Sequence, residues 1–174
     1  MKFKLPKITL PNAVNTARRR ILGGLVASGG LLALSNKTGA AEESKEDTLR
    51  FPGETPDHKV VYQLNKADPE YQNHILFSAG AMLRKYGDNI GIVVVAIGPG
   101  LHILAKKPKR PVSDDIKSRV SSLHEYGVEF HACGNTMKGL GWTEKDMLPL
   151  AKIVEVGASD LMELQEQGYA YISW

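Results

Sequence analysis

The feature that most constrains this chain is an unbroken apolar run, Ile92-Val93-Val94-Val95-Ala96-Ile97, stopped by Gly98-Pro99-Gly100. A strand with one wet face alternates apolar and polar residues. A strand without alternation is covered on both faces, the situation of a parallel sheet between helices.

The flanking segments agree with that architecture. His58-Lys59-Val60-Val61-Tyr62-Gln63-Leu64 is short and β-branched, and reads as a first strand. Asp68-Pro69-Glu70 starts a helix, with Asp as cap and Pro at the first helical position. That helix runs to about Tyr86 on the apolar positions Ile75, Phe77, Ala79, Met82 and Leu83, and Gly87-Asp88-Asn89 closes it. The run from Ile90 to Ile97 is the second strand. After an apolar turn over Leu101-His102-Ile103-Leu104-Ala105 comes a basic, Pro-interrupted loop at residues 106–111. Ser113-Asp114-Asp115-Ile116 opens a helix to about Tyr126, with Ile116, Val120 and Leu123 on one face. Gly127 leads into a strand ending at Cys133. Short helical turns follow at residues 135–141 and after Thr143, then a strand at 152–156, a helix from Ser159 to Gln167 capped by Ser159, and a last strand at 169–173. Five strands alternating with helices predict a single α/β domain: a doubly wound, mostly parallel five-stranded sheet with helices on both faces.

Charge separates the N-terminal region from this body. Residues 1–40 carry seven basic side chains and no acidic ones, so the formal net charge of +3 belongs to them. The remaining residues carry 15 basic and 19 acidic side chains, a net of −4, which argues against a nucleic-acid partner. Arg18-Arg19-Arg20-Ile21-Leu22, followed by the glycine-softened run from Gly23 to Leu34, resembles a twin-arginine signal peptide. The 14 residues from Ile21 to Leu34 fall short of the roughly 20 that cross a bilayer, so no stable membrane span is expected. A small-residue cleavage site lies at Ala40/Ala41. The expected organisation is therefore a signal peptide at 1–40, a polar linker at 41–56 and the α/β domain at 57–174 of an exported, periplasmic protein.

Export sharpens the question posed by Cys133, the only cysteine. One cysteine cannot form an intrachain disulfide, so the thiol is buried and inert, paired between chains, or chemically employed. It sits where a buried strand meets a helix start, with Gly134 and Asn135 following, and amide N–H groups there lower a thiol pKa. Lys138 is a further, weaker candidate for stabilising a thiolate. His131, two residues earlier, projects from the same face of the strand. It is either a partner of Cys133, as activating base or soft-metal ligand, or a hydrogen-bonded strand residue. No second cysteine completes a metal set, and neither a metal nor a cofactor is expected. Gly98 and Gly100 end a neighbouring strand and are candidates to line the same crevice, although the segment lacks both the dinucleotide and the Walker pattern.

Cys133-Gly134-Asn135-Thr136-Met137-Lys138, followed by Leu148-Pro149, Val154, Val156-Gly157 and Leu164-Gln165-Glu166-Gln167-Gly168-Tyr169-Ala170-Tyr171-Ile172, resembles the DsrE/DsrF-like family. Gly98-Pro99-Gly100-Leu101 after an apolar strand also matches, and the likeness covers roughly residues 57–174. The resemblance implies a doubly wound α/β fold, homo- or hetero-oligomers, and in some members a cysteine that carries sulfur as a persulfide in relay reactions. Cys133 is the position matching that cysteine. Its expected partners are a small sulfur donor or an acceptor thiol protein, with a second copy of the chain in a homo-oligomer. The alternative is a non-catalytic oligomeric periplasmic module that binds a small ligand or soft metal near Cys133 and His131. A third reading makes Cys133 a core residue of a structural subunit.

Overall fold

The all-apolar strand is buried by strand neighbours on both sides and by helices above and below. The computed structural model describes residues 54–174, so the signal-peptide reading and most of the linker lie outside the described residues. Strand β2 (Ile90–Ala96) is the middle strand of a five-stranded sheet ordered β4-β3-β2-β1-β5, with β1 at His58–Leu64, β3 at Glu129–Cys133, β4 at Ala151–Val154 and β5 at Ala170–Ile172. All four neighbouring pairs are parallel.

The crossovers are α1 (Pro69–Tyr86), α2 (Asp114–Glu125), α3 (Gly134–Gly139) and α4 (Gly157–Glu166). Asp68 caps α1 by accepting the Tyr71 N–H at 2.8 Å, and Ser113 caps α2 by accepting the Ile116 N–H at 3.3 Å. Gly98–Leu104 winds into a 3-10 helix, so the apolar segment after β2 is a helical plug rather than a simple turn. It is pressed so closely on β1 that a Cβ at Gly100 would lie 2.1 Å from the Leu64 carbonyl oxygen. Only glycine fits there.

The core has two layers. Val60, Tyr62, Leu64, Ile92, Val94, Phe130 and Ala132 face α1, α2 and the 3-10 helix, whereas Val61, Val93 and Val95 pack with Leu161 and Leu164 of α4. The split follows from topology. The chain steps outward from β1 to β4 in order, then returns across the sheet to place β5 beside β1. Right-handed crossovers then require the returning helix to cross the opposite face. Thus α4 covers that face, with its first turn at the carboxyl ends of β3 and β4. Cys133 stands at that carboxyl edge, two strands from the direction reversal between β1 and β5.

Two expectations are corrected. Phe77 is 61% exposed, because it lies on the side of α1 turned away from the sheet, where the Arg84 guanidinium sits 5.8 Å from its ring. The last helix begins two residues before Ser159, at Gly157, and Ser159 instead donates to Glu163 at 2.8 Å. Among the described residues no helix is long and apolar enough to cross a membrane.

The burial difference sets a stability test. Phe130, with 0% exposure, should lose about 3–5 kcal/mol on replacement by Ala. Phe77→Ser should change the urea unfolding free energy by only about 0.5 kcal/mol.

Candidate functional site around Cys133

Strand β3 alternates its side chains between the two layers. Phe130 and Ala132 enter the thicker core, and His131 and Cys133 point to the α4 side. Cys133 pairs with Val154 of β4 in register and is 4% exposed. Burial by itself raises a thiol pKa, since it penalises the thiolate. Here the polar groups around it prevail and the net shift is downward: first Thr136, through its hydroxyl and its backbone N–H, and then the Gly157 N–H, which donates to the sulfur at 3.3 Å. Asn135 N–H adds the smallest share, since its main partner is the Glu155 carbonyl at 3.1 Å.

The Gly157 contact is the tightest constraint. Its N–H lies 3.3 Å from Sγ, so the first amide of α4 is directed at the sulfur. The sulfur takes the place of a capping side chain, which the aliphatic Val156 at the N-cap cannot supply, and Ser159 donates to Glu163 instead. A Cβ on residue 157 would fall 2.8 Å from Ile97 Cγ1 and 3.0 Å from Cys133 Cβ. Gly134 likewise lets the start of α3 lie against the β4 backbone, where a Cβ would meet the Val154 carbonyl oxygen at 3.0 Å.

Thr136 links this sulfur to the end of β2. Its Oγ1 accepts the Gly98 N–H at 3.0 Å, and its polar groups are the largest influence that lowers the Cys133 pKa. Gly98 is thereby tied to the site through Thr136, whereas Gly100 is a packing residue against Leu64. Lys138 is exposed on α3 and is not among the groups acting on the thiol.

His131 shares the face of Cys133, but its hydrogen bonds go elsewhere. Nδ1 lies 2.7 Å from Asp160 of α4 and Nε2 lies 3.1 Å from Glu129. Both ring nitrogens thus face carboxylates, and a ring nitrogen that carries a proton donates it to the carboxylate it faces. The contact with Asp160, in the first turn of α4, fastens the helix that presents Gly157 to the sulfur. Glu129 is held below the usual carboxylate range, first by the His131 hydrogen bond and also by Lys152 at 3.6 Å, against the opposing effect of burial. His131 is therefore a strand residue that anchors α4. Among the described residues no group of His, Cys, Asp and Glu side chains forms a metal set.

Thr136 and Gly157 are the two positions beside the sulfur that residue-by-residue reading does not single out. Thr136 carries a detectable signal, a hydroxyl three residues after the cysteine on a helix start. Gly157 carries none on its own, because it is distant in sequence and its role is a contact between β3 and α4.

The DsrE/DsrF-like family model matches residues 58–174. The chain belongs to this family. Membership links it to sulfur relay in general terms. No curated protein matches the chain. Among solved structures, the DsrE/DsrF-like domain is similar to the protein of unknown function MTH1491 from Methanobacterium thermoautotrophicum, with 25% identity and a TM-score of 0.61 over 68% of this chain and 100% of that one. It shares its fold with the ychN protein from E. coli, at 14% identity and a TM-score of 0.56, covering 67% of this chain and 99% of that one. The same holds for BT1422 from Bacteroides thetaiotaomicron, at 13% identity and a TM-score of 0.53, covering 67% and 94%.

Two substitutions test the electrostatics of this DsrE/DsrF-like site. Because the hydrogen bonds favour the thiolate, the pH profile of alkylation of the native protein should have its midpoint below that of an ordinary thiol. Thr136→Val removes a donor and should move that midpoint up. Gly157→Ala should move it up as well and cost about 1–3 kcal/mol in urea unfolding, the usual scale of overpacking.

Proposed function

We propose that this protein carries sulfane sulfur as a persulfide on Cys133, in the manner of a sulfur carrier or sulfurtransferase, and that its leader directs it to the periplasm. The single observation that supports the chemistry is the polar setting of Sγ: the Gly157 N–H donates to it at 3.3 Å, and Thr136 and Gly157 together outweigh burial and lower its pKa. A thiolate is the form that attacks a sulfur atom.

The step is an exchange at sulfur. The Cys133 thiolate attacks the sulfane sulfur of the donor, an S–S bond to Sγ forms, and the bond to the donor's own leaving group breaks with its electron pair. Transfer onward reverses the roles: an acceptor thiolate attacks the outer sulfur, and Cys133 departs as the thiolate that its donors stabilise. No external oxidant or reductant is required. At 4% exposure Cys133 offers access to a small donor in preference to a bulky one. Gly134 and Asn135 shape the backbone beside the sulfur, and Lys138 has at most a distant electrostatic role. An oligomer of this chain and an acceptor thiol protein complete the reading.

The module that holds a soft metal between Cys133 and His131 gains no support from the geometry, because both ring nitrogens of His131 face carboxylates. Incubation of the native protein with polysulfide, followed by intact mass, should show a gain of about 32 Da, one sulfur atom. Cys133→Ser should show none. No gain on the wild-type protein, or an equal gain on the variant, defeats the proposal. Mass analysis of protein isolated from the periplasm should place the mature start at Ala41.

A further inference from the structure

The cavity on the other side of Thr136 has a composition that the carrier reading leaves unexplained. It has a volume of about 300 Å³, and its polar side chains are those of His102, Arg110 and Thr136. That is ample room for a small ion, at the lower end of the size of ligand pockets. No carboxylate lines it.

His102 is 2% exposed, and its protonation is set by its neighbours. Nδ1 accepts the Lys109 N–H at 3.2 Å, and the ring stands edge-on to Trp142 with centroids 5.0 Å apart. A neutral ring whose Nδ1 is an acceptor carries its proton on Nε2. Nε2–H has no hydrogen-bond partner among the described residues. Burial lowers the basicity of His102, as do the Arg110 and Lys109 charges, so the ring is a neutral donor at neutral pH. The remaining titratable group close by is Lys109, whose ammonium donates to the Leu140 carbonyl and lies 5.7 Å from the Trp142 ring centroid. A cavity that combines the free Nε2–H of a neutral histidine with a guanidinium and no carboxylate is suited to an anion.

We infer that this cavity binds the oxyanion end of a small sulfonate-bearing sulfur donor of the thiosulfate class. The inference rests on the carrier reading for its chemistry and on the cavity for its specificity. Thr136 forms part of the cavity wall and lies in the first turn of α3, the helix that starts directly after Cys133, so one residue borders both the anion site and the segment that carries the nucleophile. With the sulfonate held by Arg110 and His102, the sulfane sulfur is directed toward Cys133. The thiolate attacks it, an S–S bond to Sγ forms, the S–S bond to the sulfonate breaks, and sulfite leaves with the electron pair. Charge is conserved, since one thiolate and one thiosulfate dianion give one persulfide anion and one sulfite dianion. The cations then meet the charge gathered on sulfite.

The test separates the cavity from the carrier. Full-length Cys133→Ser protein, which has no thiol, is titrated with sulfite by calorimetry, and the His102 imidazole resonances are followed by NMR. Saturable binding is expected, with the His102 titration midpoint moving up because the bound anion favours the imidazolium. In the same background Arg110→Gln should weaken sulfite about tenfold or more, the scale of a lost hydrogen bond to a charged group. Lys107→Gln, an exposed neighbour outside the cavity lining, should change affinity less than about twofold, as a screened surface charge does. Absence of saturable binding, or equal weakening by the two substitutions, overturns the inference. On protein that retains Cys133, Arg110→Gln should lower the ratio of the sulfur-uptake rates from thiosulfate and from polysulfide about tenfold. An unchanged ratio overturns the assignment of the cavity even where polysulfide loads Cys133. Sulfite binding to Cys133→Ser with no sulfur gain on the wild type leaves the cavity standing and removes the carrier.

Discussion

The contact on which the site depends is the Gly157 N–H against the Cys133 sulfur at 3.3 Å. It joins the end of β3 to the start of α4 and satisfies an amide that every helix start leaves unpaired. It also requires a residue with no side chain, since a Cβ there would lie within 3.0 Å of Cys133 Cβ. The cysteine is thus a thiol and also the N-terminal partner of a ten-residue helix. A favourable interaction with the dipole of α4 therefore depends on the sulfur being negatively charged, which couples the fold on that face to the ionisation of one atom.

The path of α4 explains why a single helix carries so much of the site. It is the element that covers the face opposite α1 and α2, and its hydrophobic contacts are few, chiefly Leu161 and Leu164 on Val61, Val93 and Val95. Polar fastenings supplement them. Asp160 meets His131 at 2.7 Å, one turn from Gly157. Glu129 and Lys152 extend that network toward the sheet edge. A buried ionic group is weak evidence for net stability but good evidence for a defined position, and position is what the Gly157 amide needs.

On the α3 side of the same sulfur, Thr136 receives the Gly98 N–H and lowers the Cys133 pKa. Through it the Gly98-Pro99-Gly100 turn, the thiolate and the cationic cavity of His102 and Arg110 form one continuous structure. Lys109 orients His102 through a backbone N–H, and Arg110 stands at the cavity wall.

Sequence alone determined the layered α/β architecture, because an unbroken apolar strand can be buried on both faces in few ways, and Asp68-Pro69 and Ser113 are local capping signals that need no tertiary partner. It also placed Cys133 at a strand end before a helix start. Tertiary structure alone decided what surrounds that sulfur. Whether His131 meets Cys133 or a carboxylate depends on which helix crosses the face they share, and that follows from the return of the chain from β4 to β5. The replacement of Ser159 by the cysteine sulfur as the partner of α4 has the same cause. Phe77 was misplaced because helical spacing identifies an apolar face without saying how wide the surface is that will cover it. Local residue types settle which elements form. The donors gathered on one atom come from residues up to 24 positions apart, and only packing brings them together.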